Sequence, residues 1–153
     1  DSASSIISDA LAYAYDKGVL VIAAAGNDGP YTSSIDYPAS HVSAVSVGVV
    51  DSSYTVPDWS ARGANESLTD KKAGDIEFVA PGVNVESTSN NSDYVTTSGS
   101  SMAAAHIAGL AAKEWQKDAE NPAEATRLLL HKFAEPISEK TDANATGWGM
   151  PQL

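Results

Sequence analysis

The chain has 153 residues, with 9 Lys and Arg against 20 Asp and Glu, a formal charge of −11. That length suits one domain or a piece of a larger one, and a hydrophobic fraction of 42% is enough for a core and excludes wholesale disorder. The acidic balance argues against nucleic acid, whose phosphates would be repelled; no apolar run approaches the ~20 residues of a membrane helix; and the absence of cysteine excludes disulfides, thiolate metal sites and cysteine nucleophiles.

The opening residues Asp1-Ser2-Ala3-Ser4-Ser5 read as the entry to a helix, as in a chain cut from mid-domain. Ile7, Leu11 and Ala14 then recur at spacings of four and three, which predicts a helix over 4–17 ended by Gly18. Val19-Leu20-Val21-Ile22-Ala23-Ala24-Ala25 is a continuous apolar run with β-branched residues, the pattern of a strand buried on both faces. Helix followed by buried strand suggests a parallel α/β sheet. Turn chemistry at Gly26-Asn27-Asp28-Gly29-Pro30 stops the strand, and further strands are expected over 42–50 and 76–80. Residues 60–75 are polar, with Gly63, Gly74 and Lys71-Lys72, and read as an exposed loop. Short strands are expected at 83–86 and 94–97, and a helix over 101–117. Asn121-Pro122-Ala123-Glu124 begins another that runs to about Phe133, with Asn as cap, Pro at the first position and Glu returning to the cap. The tail, 135–153, is expected to be mostly loop.

Between Met102 and Ala112 the central helix holds only Met, Ala, Ile, Gly, Leu and one His. A helix apolar all round is normally buried all round. Two other helices and a few strands are too few to cover it and both faces of the sheet. The chain therefore reads as part of a larger packing unit, and alone it is expected to pack poorly or aggregate.

Two segments can carry chemistry. Asn27 leaves the C-terminal end of a buried strand, where open α/β sheets bind ligands. Ser101 begins the central helix, whose free N–H groups and positive dipole end suit developing negative charge. An Asn amide and a helix-start N–H can together hold an oxyanion beside a serine nucleophile. Taken singly, each feature reads as well as an Asn-Asp-Gly turn and a Ser cap.

Together the segments resemble a known family. Val19-Leu20-Val21-Ile22-Ala23-Ala24-Ala25-Gly26-Asn27 resembles the oxyanion-asparagine segment of the subtilases, the subtilisin-like serine proteases. Gly99-Ser100-Ser101-Met102-Ala103-Ala104-Ala105-His106-Ile107-Ala108-Gly109 is similar to their nucleophile motif, with Ser100 in place of Thr and Ala105 in place of Pro. Tyr37-Pro38-Ala39, Val45-Ser46-Val47-Gly48, Ala80-Pro81-Gly82 and Gly147-Trp148-Gly149 follow the family's order. The resemblance implies a three-layer α/β subtilisin-like fold with a mostly parallel sheet, of which residues 1–153 are the C-terminal half. It implies Ser101 as nucleophile, Asn27 as oxyanion donor, and Ala24, Ala25 and Gly26 as a wall of the pocket for the residue before the cleaved bond. Asp28 falls at that pocket's rim and Asp36 at its floor. Members that cleave after basic residues carry an acidic residue just before the corresponding turn.

The family's catalytic Asp and His have no match here. Histidine occurs only at 41, 106 and 131. His106 follows Ser101 by five residues, a helical rotation of about 500°, so it points about 140° away; His41 and His131 read as ordinary, the latter on a surface helix. The general base and its orienting Asp would lie on an absent N-terminal half. The expected function is that of a serine endopeptidase acting on a protein or peptide when completed by that half, and inactive alone. An inactive protease-derived binding module is the alternative, with a lipase or esterase disfavoured because Ala103 breaks the Gly-x-Ser-x-Gly elbow. The resemblance implies no cofactor for the chemistry and allows structural calcium, including a weaker cation site at carbonyls near Ala39, His41 and Ala44. A secreted location is expected, with an intracellular one also compatible with the charge. Lys71-Lys72 is a candidate self-cleavage pair, and glycosylation triplets begin at Asn65, Asn90 and Asn144.

Overall fold

A computed structural model describes residues 4–64, 73–137 and 143–152. The main sheet has three parallel strands in the order β1-β2-β3: β1 (Val21–Ala24), β2 (Ala44–Val50) and β3 (Phe78–Pro81). An antiparallel hairpin follows, β4 (Val85–Thr88) with β5 (Tyr94–Thr97), and then the helix α2 (Ser100–Lys113). The remaining elements are α1 (Ser5–Asp16), α3 (Pro122–Lys132), the two-residue strands β6 (Ala134–Glu135) and β7 (Met150–Pro151), and the single turn α4 (Ala143–Thr146). The expected elements are present within a few residues of their bounds, and the parallel α/β architecture is the expected one.

β2 is buried along its whole length because it lies between two strands and two covering layers. Val45, Val47 and Val49 alternate onto one face and meet Ala103, Ile107 and Ala111 of α2. Val50 and Val79 occupy the opposite face with Ala25, Ala61 and Ile76, under α4 and its neighbouring loops. Gly18, in the left-handed region at φ +75°, ends α1 as expected. Asn121 caps α3, its side chain accepting from the Glu124 N–H at 3.1 Å. The Glu124 carboxylate accepts from the Tyr15 hydroxyl, which joins α1 to α3. Burial, with that bond to Glu124 second, pushes the Tyr15 hydroxyl up to about 12.

Three expectations need correction, and a fourth is met. β1 is not buried on both faces: it is one of the two edge strands of the described sheet, and only Ala23 within it is buried. α2 meets its expectation, since the described elements are too few to bury it all round. Ser100, Ala103, Ile107 and Ala111 are buried, while Ala105, His106, Ala108, Gly109 and Ala112 are exposed, because the described elements cover one side only. Likewise Leu11 is the single buried residue of α1, and Ile6 and Ile7 stand exposed. The 60–75 segment is not an exposed loop at its start. Ser60, Ala61 and Gly63 are buried, the Ser60 hydroxyl accepting from the Val49 N–H at 3.1 Å and the Gly63 N–H donating to the Asn144 carbonyl at 2.7 Å. Lys71, Lys72 and Asn65 lie outside the described residues.

The last correction concerns His131, whose side chain is largely buried, at 11% exposure, against the core. Its ring stacks on Trp148 at 4.8 Å and meets Phe78 edge-on at 5.0 Å. Its Nε2 donates to Glu77 Oε1 at 2.7 Å. Arg127, one helical turn earlier, donates from Nε to the same oxygen at 2.6 Å and from Nη2 to Oε2. Burial alone would raise the Glu77 carboxyl. The His131 and Arg127 hydrogen bonds, reinforced by their charges, outweigh it and hold the group below the usual carboxylate range. A carboxyl whose folded value is lowered adds stability that is complete above its unfolded value and is lost as pH falls through the folded one. The full-length protein is thus expected to lose stability on acidification below the ordinary glutamate range, with a smaller loss in Glu77→Gln, as read from urea midpoints across pH. At neutral pH, Glu77→Ala strands the buried guanidinium and should cost roughly 3–5 kcal/mol.

Candidate active site

The site forms where the C-terminal end of β1 meets the N-terminus of α2. Four backbone contacts fix the chain leaving β1. The Ala25 N–H donates to the Val47 carbonyl at 3.0 Å, and the Asp36 N–H donates to the Ala25 carbonyl at 2.8 Å. The Ala61 N–H donates to the Gly26 carbonyl at 3.3 Å, and the Gly29 N–H to the Trp59 carbonyl at 3.1 Å. Ala24 closes β1 opposite Val47, Ala25 and Gly26 are buried, and Asn27 emerges exposed. A parallel strand that ends beside a helix start is a recurrent ligand position in α/β sheets.

Two reciprocal bonds clasp this segment to α2. The Gly26 N–H donates to Ser100 Oγ at 3.1 Å, and the Ser100 N–H donates to Asn27 Oδ1 at 3.0 Å. Ser100 is 1% exposed, so the clasp is shielded from competing water. Because Oδ1 takes the backbone donor, the amide orientation follows: Nδ2 is the end left to point away from Ser100. Ser101 is the next residue. It is exposed in the first turn of α2, its N–H has no intrahelical acceptor, and its hydroxyl bonds to no described residue. Ser101 thus stands at the positive end of a 14-residue helix, one residue beyond the Ser100 that Asn27 holds. Ser100, which stands where the family motif has Thr, has a structural part in the site.

Asp36 lies against the wall. A Cβ built on Gly26 would come within 2.5 Å of Asp36 Oδ2, and Gly26 sits at φ +108°, so only glycine both adopts this turn and admits the carboxylate. Asp28 is exposed on the following turn and makes no hydrogen bond or ion pair with the described residues. The structure therefore brings Ala25, Gly26, Asn27, Asp36 and Ser101 to one locality and leaves Asp28 at its edge.

No histidine serves Ser101. His106 donates from Nδ1 to the Met102 carbonyl at 2.9 Å, His41 Nδ1 accepts from the Ser43 N–H at 3.1 Å, and His131 is held by Glu77. Among the described residues no group of three or more His, Cys, Asp or Glu is placed to hold a metal ion.

A model of the subtilase family, Peptidase_S8, matches residues 1–149. A subtilisin of Bacillus sp. (strain TA39) is 48% identical over 119 residues, which are 73% of this chain and 28% of that protein. The minor extracellular protease Epr of Bacillus subtilis (strain 168) is 34% identical over 99% of this chain and 22% of its own length. Among solved structures, the S41 psychrophilic protease superposes with a TM-score of 0.89 at 40% identity, covering 99% of this chain and 54% of that one. The chain spans about half or less of the length of these relatives.

Proposed function

The chain belongs to the subtilase family, and from that premise we propose that it is the nucleophile-bearing half of a serine endopeptidase, working by acyl transfer when an N-terminal half supplies the base. Ser101 Oγ attacks the peptide carbonyl while a histidine outside this chain removes its proton. The negative charge that develops on the carbonyl oxygen is met by Asn27 Nδ2 and the Ser101 N–H. The proton then passes to the leaving amine, the acyl-enzyme forms, and water releases it by the same route. No cofactor enters these steps. The observation that supports the reading is the Ser100 N–H to Asn27 Oδ1 bond of 3.0 Å, which engages the acceptor end of the amide next to Ser101 in the chain and leaves its donor end for another partner.

Ala24, Ala25 and Gly26 form one wall of the pocket for the residue before the cut, with Asp36 at its floor and Asp28 at its rim. The contact between Asp36 and Gly26 supports that placement. A carboxylate at the floor favours a Lys or Arg side chain through charge-assisted hydrogen bonds and opposes an apolar one. The test is to compare peptides differing only at that residue, using the full-length protein. Arg should exceed Phe and Leu, and Asp36→Gly should reverse or erase the preference. Cleavage after Phe equal to that after Arg in the unaltered protein would remove Asp36 from the pocket.

The N-terminal half has a surface to cover. Leu20, Ile22, Ala108, Ala111, Ala112 and Trp115 line an apolar hollow beside β1 and α2. Protein or peptide is the substrate, with neither nucleic acid nor membrane as a partner. The charge of −11 opposes phosphate, and among the described residues no helix is long and apolar enough to cross a bilayer. An extracellular setting is supported by the likeness to the minor extracellular protease. An inactive binding module remains the outcome if restoring the N-terminal half restores no hydrolysis.

A further inference from the structure

We propose that the guanidinium of Arg127 is the resident cation of the corner where β2, β3 and α3 meet, and that the carbonyls of Ala39, His41 and Ala44 consequently hold no metal ion. The family resemblance allows a weak cation site at those carbonyls, and their surroundings do not fit one. Arg127 Nη2 donates to the Ala44 carbonyl at 3.2 Å, and Nη1 donates to the neighbouring Val42 carbonyl at 3.2 Å. The His41 carbonyl accepts from the Ala44 N–H at 2.9 Å. A metal ion on the Ala44 oxygen would sit a few ångströms from a permanent positive charge.

That charge cannot swing away. Arg127 is 2% exposed, and its Nε and Nη2 grip both oxygens of Glu77. Glu77 also takes the His131 Nε2–H at 2.7 Å and is itself buried, so its carboxylate is not available as a metal ligand. Both oxygens of Glu77 are already engaged by Arg127 and His131, so this carboxylate brings no free charge to a divalent ion placed on the Ala44 oxygen. The guanidinium does structurally what an ion would do. It ties the carbonyls just before β2 to the start of β3 and to α3, with donors in a fixed planar fork rather than an adaptable shell. It is present whatever the calcium level.

Amide hydrogen exchange of the full-length protein tests this, read at the Ala44 and Glu77 N–H groups, which bond to the His41 and Ser46 carbonyls. Stripping calcium with a chelator should leave both rates unchanged relative to Val49 in the centre of the sheet. Arg127→Gln, with calcium present, should speed both by about tenfold or more. A chelator that speeds them selectively, or an Arg127→Gln protein in which they are unchanged, overturns the proposal. Should Arg127→Gln fail to fold, titrating the unaltered protein with millimolar calcium decides instead. Saturable shifts of the 39–44 amide signals contradict the assignment, and invariant signals support it.

Discussion

Residues 1–153 on their own should hydrolyse no peptide measurably, falling about 10⁶ below the full-length protein, a scale taken from subtilisin, in which loss of the nucleophile or base has this effect. The reason is local. Ser101 has its hydroxyl free, but each of the three histidines is bonded elsewhere, to Met102, Ser43 and Glu77. A serine hydroxyl without a base is a poor nucleophile at neutral pH. In the full-length protein Ser101→Ala should bring turnover down to the level of the isolated chain. Steady-state assays on one peptide, with the three proteins at matched concentration, read both effects. Robust hydrolysis by 1–153 that disappears in Ser101→Ala would mean that the base lies within this chain after all.

Asn27→Leu should lower turnover in the full-length protein by about 10²–10³ and leave KM nearly unchanged, again on the scale known for subtilisin. This follows from the proposed role of the amide as a transition-state donor held in place before substrate arrives. The Ser100 N–H holds Oδ1 at 3.0 Å, and Ser100 is in turn held through its Oγ by the Gly26 N–H. Leucine preserves the volume and removes both the donor and the bond to Ser100. A change confined to KM would show that Asn27 serves ground-state binding, and unchanged turnover would remove it from the oxyanion site.

What the sequence made legible follows from how local each signal is. The Asn121 cap, the Gly18 stop and the strand expected over 42–50 depend on near neighbours, and each appears in the structure. The meeting of Asn27 with the start of α2 was legible because two motif segments resemble one family, although 73 residues separate Asn27 from its partner Ser100. Burial was read less well. The apolar runs at β1 and α2 mark surfaces able to be covered, and the pattern does not say whether the covering elements are in the same chain. The Glu77, Arg127 and His131 cluster was missed because each residue looks ordinary in isolation. A glutamate within the apolar run Ile76 to Ala80, with Arg and His one turn apart on a later helix, was the available clue. Ser60 was read as exposed loop for a similar reason: its hydroxyl answers a strand N–H that composition cannot reveal.

The central claim, that Ser101 is an activated nucleophile only when the rest of the domain is present, is tested most directly by labelling with a fluorophosphonate and mapping the adduct by mass spectrometry. One stoichiometric adduct on Ser101 is expected in the full-length protein, and none in residues 1–153 under the same conditions. An adduct on any other serine of the full-length protein, or an undiminished label in its Ser101→Ala variant, would contradict it.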